Sequence, residues 1–347
     1  MPPSLPCDPA QLDEFLSRPT DGVVETLHRH RGDILIAGAG GKMGGTLSLM
    51  LARAAAAAAA AGTPPRRIFA VSRFSNPASR ALLENYGITT LSADLIDRNA
   101  VASLPDAPLV FFMAGQKFGT ADQPELTWAM NTVVPAIAAE RWHQSRIVAF
   151  STGCVYSMVP PASGGSTEDS PTSPPGEYAH SCLGREGVFR FYSNRFNTPT
   201  ALVRLNYSVE CRYGVLTDIA RRILDGKPVD VSSGWVNVIW QRDACAHAIQ
   251  CLDAAASPAV PVNITGQHTL PVRELAAALA QRLGRSVHFT GSEHPTAWLN
   301  NASRSHARFG PPPTQLADML DWTAAWLLHG APTLGKPTHF EAADGKF

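Results

Sequence analysis

An α/β fold, with a parallel sheet covered by helices on both faces, is the architecture this sequence predicts, and three observations carry it. A short apolar run, Ile34-Leu35-Ile36-Ala37, enters a glycine turn, Gly38-Ala39-Gly40-Gly41-Lys42-Met43-Gly44, and then a helix-forming stretch. Further apolar runs recur at 67–72, 89–91, 109–113, 146–151 and 201–205, with helical or loop material between them. Near-continuous apolar strands alternating with helices are the mark of a doubly wound parallel sheet buried on both sides. The length of 347 residues allows one large domain of this kind with a smaller lobe.

Taken in order, residues 8–30 read as an amphipathic helical lead-in, with Leu12, Phe15 and Leu16 spaced for one face. Residues 1–32 are therefore set apart as an N-terminal extension. Glycines 38, 41 and 44 allow a tight turn, close approach of an anion and close helix–strand packing. The next helix runs through Leu47, Leu49, Met50 and Leu51 into the tract Ala54 to Ala61, and Gly62-Thr63-Pro64-Pro65 stops it. A Pro/Gly/Ser/Thr-rich loop occupies 160–176, a length more often functional than decorative. From Cys211 the pattern is less regular, with helices expected at 272–283 and 314–328. The division expected is a nucleotide-binding domain over 33–210, a smaller lobe over 211–330 interleaved with it, and a tail over 331–347.

Composition narrows the function classes. Hydrophobic content of 45% with 17% charged residues describes a globular chain, and its formal charge of zero with no basic stripe excludes nucleic acid as a partner. No run approaches the roughly 18 apolar residues of a membrane span. Met1 to Ala10 carry neither a basic n-region nor an apolar h-region, so the cytoplasm is the expected compartment. Six cysteines without a C-x-x-C pair read as reduced thiols, and the scattered histidines form no metal site.

These landmarks, with those that follow, resemble the NAD-dependent epimerase/dehydratase branch of the extended short-chain dehydrogenase/reductase superfamily, over roughly residues 33–328. Beside the glycine turn stand Ala93-Asp94-Leu95 after the third strand, Met113-Ala114-Gly115 after the fourth, and Asn131 on the next helix. Ser151-Thr152-Gly153-Cys154-Val155-Tyr156 is similar to the family's catalytic strand end, and Tyr178 falls where its catalytic tyrosine stands. Val262-Asn263-Ile264-Thr265-Gly266 resembles the stretch that opens its C-terminal lobe. The resemblance implies a Rossmann-like fold with a smaller α/β substrate lobe. It implies a dinucleotide held by Gly38, Gly41, Lys42, Met43 and Gly44, by Ser72 and Arg73, by Asp94 and Leu95, and by Met113, Ala114 and Gly115. A homodimer is implied through the helices that follow Asn131 and Tyr178.

The second strand ends Val71-Ser72-Arg73, with no acid to hold the ribose hydroxyls, so NADP is favoured over NAD. In the family a tyrosine exchanges the substrate proton, a Ser or Thr hydroxyl positions the oxygen, and a lysine four residues after the tyrosine lowers its pKa. Here Thr152 and Tyr178 are present but Cys182 holds the lysine position. Arg185, on the same helical face, is a substitute cation. Two alternatives stay open: Tyr178 works on the cofactor's positive ring, or it serves only as a hydrogen-bond donor.

The two positions where dehydratases of this kind carry an acid pair hold Gly153 and Cys154, which disfavours dehydration. The expected function is therefore an NAD(P)-dependent oxidoreductase or epimerase acting on a carbohydrate-like hydroxyl. Thr152 and Tyr178 would carry the chemistry with support from Asn131, and Asn206, Arg212 and Trp240 would face the substrate; Tyr213, Trp298 and Asn300 are further candidates for the cleft. The rival is a nucleotide-binding sensor with little or no catalysis, kept in view by Cys182. The tail around Gly335 to Phe340 has no assigned part.

Overall fold

The structure, a computed structural model, describes residues 6–117 and 122–342. The outermost five residues of the N-terminal extension and of the tail lie outside this range. Seven strands build the central sheet: β1 (Ile34–Ala37), β2 (Ile68–Ser72), β3 (Thr89–Ser92), β4 (Leu109–Phe112), β5 (Arg146–Thr152), β6 (Thr200–Leu205) and β7 (Val260–Ile264). They lie in the order β7-β6-β5-β4-β1-β2-β3, all parallel. Ala37 pairs with Val71 on one side and Phe112 on the other, so the strand order reverses at β1. A ligand crevice opens at such a reversal, beyond the carboxyl ends of the strands.

The period of two along β1 explains why its residues are apolar throughout. Ile34 and Ile36 enter one core with Leu47, Ala244 and Ile249, while Leu35 and Ala37 enter another with Phe112, Val134 and Phe189. Helices therefore cover both faces. The alanine-rich helix Gly44–Ala60 turns Ala54 and Ala58 to the first core.

The lead-in is two helices rather than one. Pro9–Leu16 and Asp21–Arg29 are separated at Ser17-Arg18-Pro19-Thr20, where Thr20 caps the second by accepting from the Val23 amide at 3.3 Å. The first sends Leu12, Phe15 and Leu16 into the core of the C-terminal lobe, and the second sends Val23 and Leu27 into the sheet core. Asp253 clamps the second helix, accepting from Arg29 at 2.7 Å, Thr26 at 2.8 Å and His30 at 2.9 Å.

The portion after Cys211 does not stay apart from the sheet. Helix Gln241–Ala254 packs on the sheet core and β7 joins the sheet beside β6. The lobe proper gathers helices Val215–Leu224, Val272–Leu283 and Leu316–Leu328 around Ile219, Leu279 and Leu320. The 160–176 loop and its entry run beside the segment 297–300, with bridges from Val159 to Ala297 and from Ser166 to Asn300. No helix of the described residues is long and apolar enough to cross a membrane.

Candidate active site

The carboxyl ends of the strands border one cavity of about 980 Å³. The glycine turn forms its floor. Gly38 has φ +98°, and a Cβ there would stand 2.5 Å from the Ala114 amide nitrogen. A Cβ on Gly44 would stand 2.4 Å from the Ala39 carbonyl oxygen, so both glycines are required by the protein's own packing. Gly41 differs: a Cβ there would meet nothing nearer than the Gly38 carbonyl at 3.4 Å, so the protein's own packing does not require a glycine. Helix Gly44–Ala60 begins at Met43 with no side-chain cap, leaving its first turn and dipole to face an anion. A dinucleotide's pyrophosphate fits this cradle.

On one side the cavity is bordered by Ser72, Arg73, Asp94 and Leu95, and beside the turn by Met113, Ala114 and Gly115. The Ser72 hydroxyl sits where a Cβ on Gly40 would meet it at 2.5 Å, while Arg73 is exposed. Thus all the cofactor residues expected from sequence, apart from Gly44 beneath the turn, line this one space.

At the other end stand Thr152 and Tyr178. Thr152 closes β5, where its hydroxyl accepts from the Cys154 amide at 3.2 Å and caps the short turn Gly153–Val155. Tyr178, in the first turns of helix Gly176–Phe196, is half-buried and hydrogen-bonded to Thr152 and to Cys182. Burial, with the Cys182 and Cys154 thiols beside it, pushes the phenol well above its usual range, against a weaker pull from Arg185 and Thr152. Cys182 is 0% exposed and burial pushes its thiol up, as it does that of Cys154, so both stay protonated and inert near neutrality.

Asn131 lies one layer behind, in a π-helical turn, Ala129–Val133, that rotates its side chain inward. Its Nδ2 donates to the Gln116 carbonyl and to Ser181 Oγ, each at 2.9 Å, and its Oδ1 accepts from the Gln116 amide at 3.0 Å. Arg185 does not line the cavity. It donates to the Phe150 carbonyl at 2.7 Å and to Asn131 Oδ1 at 2.5 Å, packed where a Cβ on Gly115 would strike it. The guanidinium is therefore tied to the scaffold and acts on Tyr178 from behind the cavity, as a weak pull on the phenol.

Among the expected substrate residues, Asn206 and Arg212 line the cavity. Arg212 is held by Asp13 at 2.9 Å and Glu210 at 3.1 Å. Trp240 is corrected: it is 0% exposed and packs between Phe15 and Trp322 in the lobe core, because the lead-in helix covers it. Trp298 is likewise buried, and Asn300 borders a separate cleft of about 300 Å³.

Two features went unseen in the sequence. The tail is a wall of the cavity: Leu334 donates to the Arg212 carbonyl at 3.0 Å, Thr338 Oγ1 donates to Asp218 at 2.6 Å, and Lys336 borders the space between them. Lys117, two residues past Gly115, also lines the cavity, with Nζ 6.0 Å from the Tyr178 ring centroid. A signal existed. The chain has only five lysines among 29 basic residues, and Lys42, Lys117 and Lys336 all border this one cavity. Lys42 Nζ lies 3.3 Å from the Tyr213 ring centroid, and burial, with Lys117 and Lys336 nearby, lowers its pKa to about 7.

A family model described as "NAD dependent epimerase/dehydratase family" matches residues 34–265. No curated protein matches the chain by sequence. Among solved structures, the UDP-glucose 4-epimerase of Thermus thermophilus in complex with NAD is 16% identical with a TM-score of 0.70, the match covering 85% of this chain and 99% of that one. The UDP-glucuronic acid 4-epimerase of Bacillus cereus in complex with NAD is 16% identical at a TM-score of 0.70, covering 85% and 98%. DesIV, a dTDP-glucose 4,6-dehydratase of Streptomyces venezuelae with NAD and TYD bound, is 19% identical at a TM-score of 0.72, covering 85% and 97%. At these identities the likeness is one of fold, whereas the family model spans most of the chain. The chain belongs to the NAD dependent epimerase/dehydratase family.

Proposed function

We propose that this protein is an NAD(P)-dependent oxidoreductase or epimerase acting on a carbohydrate-like hydroxyl or keto group. The observation that carries the reading is the hydrogen-bonded pair of Thr152 and Tyr178 at the end of β5, sharing one cavity with the glycine turn. A nicotinamide, when bound, accepts a hydride from a carbinol carbon or returns one to a carbonyl. The chain does the rest: main-chain amides of the turn hold the pyrophosphate, Thr152 orients the substrate oxygen, and Tyr178 exchanges its proton.

Arg73 at the cavity edge beyond Ser72, with no acid there, supports a preference for the 2′-phosphate of NADP. The structural neighbours named above carry NAD, which makes the preference a matter for measurement. Gly153 and the protonated Cys154 disfavour dehydration, since neither acts as an acid/base pair. Lys42 and Lys336 on one wall favour a substrate with an anionic group, whether a sugar nucleotide, as in the neighbours, or a sugar acid.

A second copy of the chain is the proposed partner. Leu126, Trp128, Val133, Phe191 and Phe196 are exposed, and they stand on or between the helices that begin at Pro124 and at Gly176.

The reading is tested by calorimetric titration with NAD⁺ and NADP⁺, followed by incubation with 4-deuterated reduced cofactor and a panel of keto-sugars. Deuterium appearing in a sugar supports an enzyme. Tight nucleotide binding with no transfer across the panel would favour the sensor reading, and no binding would end both.

A further inference from the structure

We propose that Lys117, carried on the loop that leaves β4, is the cationic partner of Tyr178, standing in the place that Cys182 leaves without a charge on the helix. The inference rests on the oxidoreductase or epimerase reading above. It adds the group that completes the proton-exchange site, on a different element from the one the sequence pattern points to.

Three positions compete for the part. Cys182 is one turn along the helix from Tyr178, sealed among Val155 and Tyr156, and neutral. Arg185 carries a charge and pulls weakly on the phenol, but its donors are held by the Phe150 carbonyl and Asn131 outside the cavity, so it cannot reach the Tyr178 oxygen or a bound ligand. Lys117 alone of the three carries an ionisable amine in the cavity, with its nitrogen 6.0 Å from the phenol ring centroid.

The loop is held so that this placement is built in. Both polar groups of the Gln116 residue preceding Lys117 in the backbone are engaged by Asn131, the amide at 3.0 Å and the carbonyl at 2.9 Å. Asn131 is in turn fixed by Arg185 and Ser181. The chain of contacts thus runs from the buried helix face, through Asn131, to the backbone that presents Lys117.

The groups acting on Tyr178 are Cys182 and Arg185 from its own helix, Thr152 at the end of β5 and Cys154 in the turn after it, with the Lys117 amine over its ring; Asp218 and Lys42 are the further charged groups around Lys117. Burial raises the phenol and lowers the lysine, so either charge alone is disfavoured. Formed together, phenolate and ammonium offset each other's desolvation. In the oxidising direction Tyr178 Oη would take the substrate hydroxyl's proton and Lys117 would keep its own, the nicotinamide supplying the hydride acceptor when bound.

The test needs no known substrate. Tyr178 ionisation is followed by ultraviolet difference absorbance in the complex with NAD⁺ or NADP⁺, with Tyr178→Phe as the blank and binding checked first by calorimetry. Lys117→Met is expected to move the titration up by about one pH unit or more, a tenfold change in acidity, while Lys117→Arg stays within about half a unit of wild type. The inference is overturned if Lys117→Met titrates with wild type, or if wild type shows no Tyr178 ionisation below about pH 11 in the complex. Retained nucleotide binding in either case would leave the broader functional reading standing. A chain that bound neither nucleotide would take down that reading and the inference together.

Discussion

The carboxamide of Asn131 grips Gln116 at both its amide and its carbonyl, at 3.0 and 2.9 Å, and so fixes the loop leaving β4 to the helix layer. That loop forms the cavity wall from Met113 to Lys117. Asn131→Ala removes the clamp and leaves the buried Arg185 Nη2 without its acceptor. Stability is expected to fall by about 1–3 kcal/mol in denaturant unfolding, the cost of stranding a buried donor. Turnover should fall about 100-fold through misplacement of the site, with nucleotide affinity changed only a few-fold. Unchanged turnover would show that the clamp plays no part in the chemistry.

The two glycines 38 and 41 separate folding from binding. Gly38→Ala places a methyl group against Ala114 in a backbone conformation that L-residues rarely adopt, so a lowered melting temperature is expected. Gly41→Ala meets nothing tighter than 3.4 Å within the protein, so the melting temperature should hold. Nucleotide affinity should drop about 10- to 100-fold, because the methyl occupies the approach to the turn. If Gly41→Ala bound nucleotide as wild type does, the pyrophosphate would have to lie elsewhere.

Lys42 is expected to make anion binding depend on pH near neutrality. With its pKa lowered to about 7 by burial and by Lys117 and Lys336, it is neutral above that value and charged below it. A dinucleotide or an anionic substrate favours the charged form, so affinity is expected to rise as pH falls from about 8.5 to about 6. Lys42→Met should flatten this dependence. Calorimetric titrations at several pH values read it directly, and a flat wild-type profile would contradict it.

Under the end of β5 lies a buried ion pair. Arg204, 2% exposed, donates to both carboxylate oxygens of Glu186, 0% exposed, at 2.9 and 2.7 Å. The same carboxylate accepts from Ser151, and Arg204 also donates to Tyr156 Oη at 2.7 Å. Glu186→Gln strands a buried guanidinium and is expected to cost about 3–5 kcal/mol in chemical denaturation. A loss below about 1 kcal/mol would mean that water or a rearranged neighbour takes over the carboxylate's role.

Asp253 ties the N-terminal helix to helix Gln241–Ala254. Burial would raise its carboxyl, but hydrogen bonds from Arg29, Thr26 and His30 overcome this and lower it to about 2. A depressed carboxyl contributes stability above its unfolded pKa, near 4, and the contribution is lost as pH falls through about 2. Asp253→Asn should therefore lower stability at neutral pH and lessen its decline in acid. Parallel pH profiles for wild type and variant would argue against the clamp.

Much of the fold was legible because its signals are local. The apolar runs of β1, β4 and β5 read as strands because each residue meets a core on one face or the other. Glycines 38 and 44 read as a turn because no other residue fits their backbone space. Thr152 and Tyr178 stand out as candidates by their order along this scaffold, and the structure brings both to one cavity with Asn131 behind them. Trp240 was misread because a tryptophan near a cleft and a tryptophan beneath an N-terminal helix look alike in sequence. Arg185 was placed on the correct helical face, yet the partners that claim its charge, Phe150 and Asn131, lie at least 35 positions away.

By itself, then, the amino-acid order determined the doubly wound sheet, the glycine turn at its first strand and the hydroxyl pair, since short-range sterics and hydrophobic periodicity specify them. Tertiary structure alone decided that a lysine from the β4 loop comes within 6.0 Å of the Tyr178 ring centroid, that the tail walls the cavity with Lys336, and that the lead-in covers Trp240. The physical reason is one of distance along the chain. Which charges meet in a cavity depends on where crossing connections bring remote segments together, and no local pattern encodes that meeting.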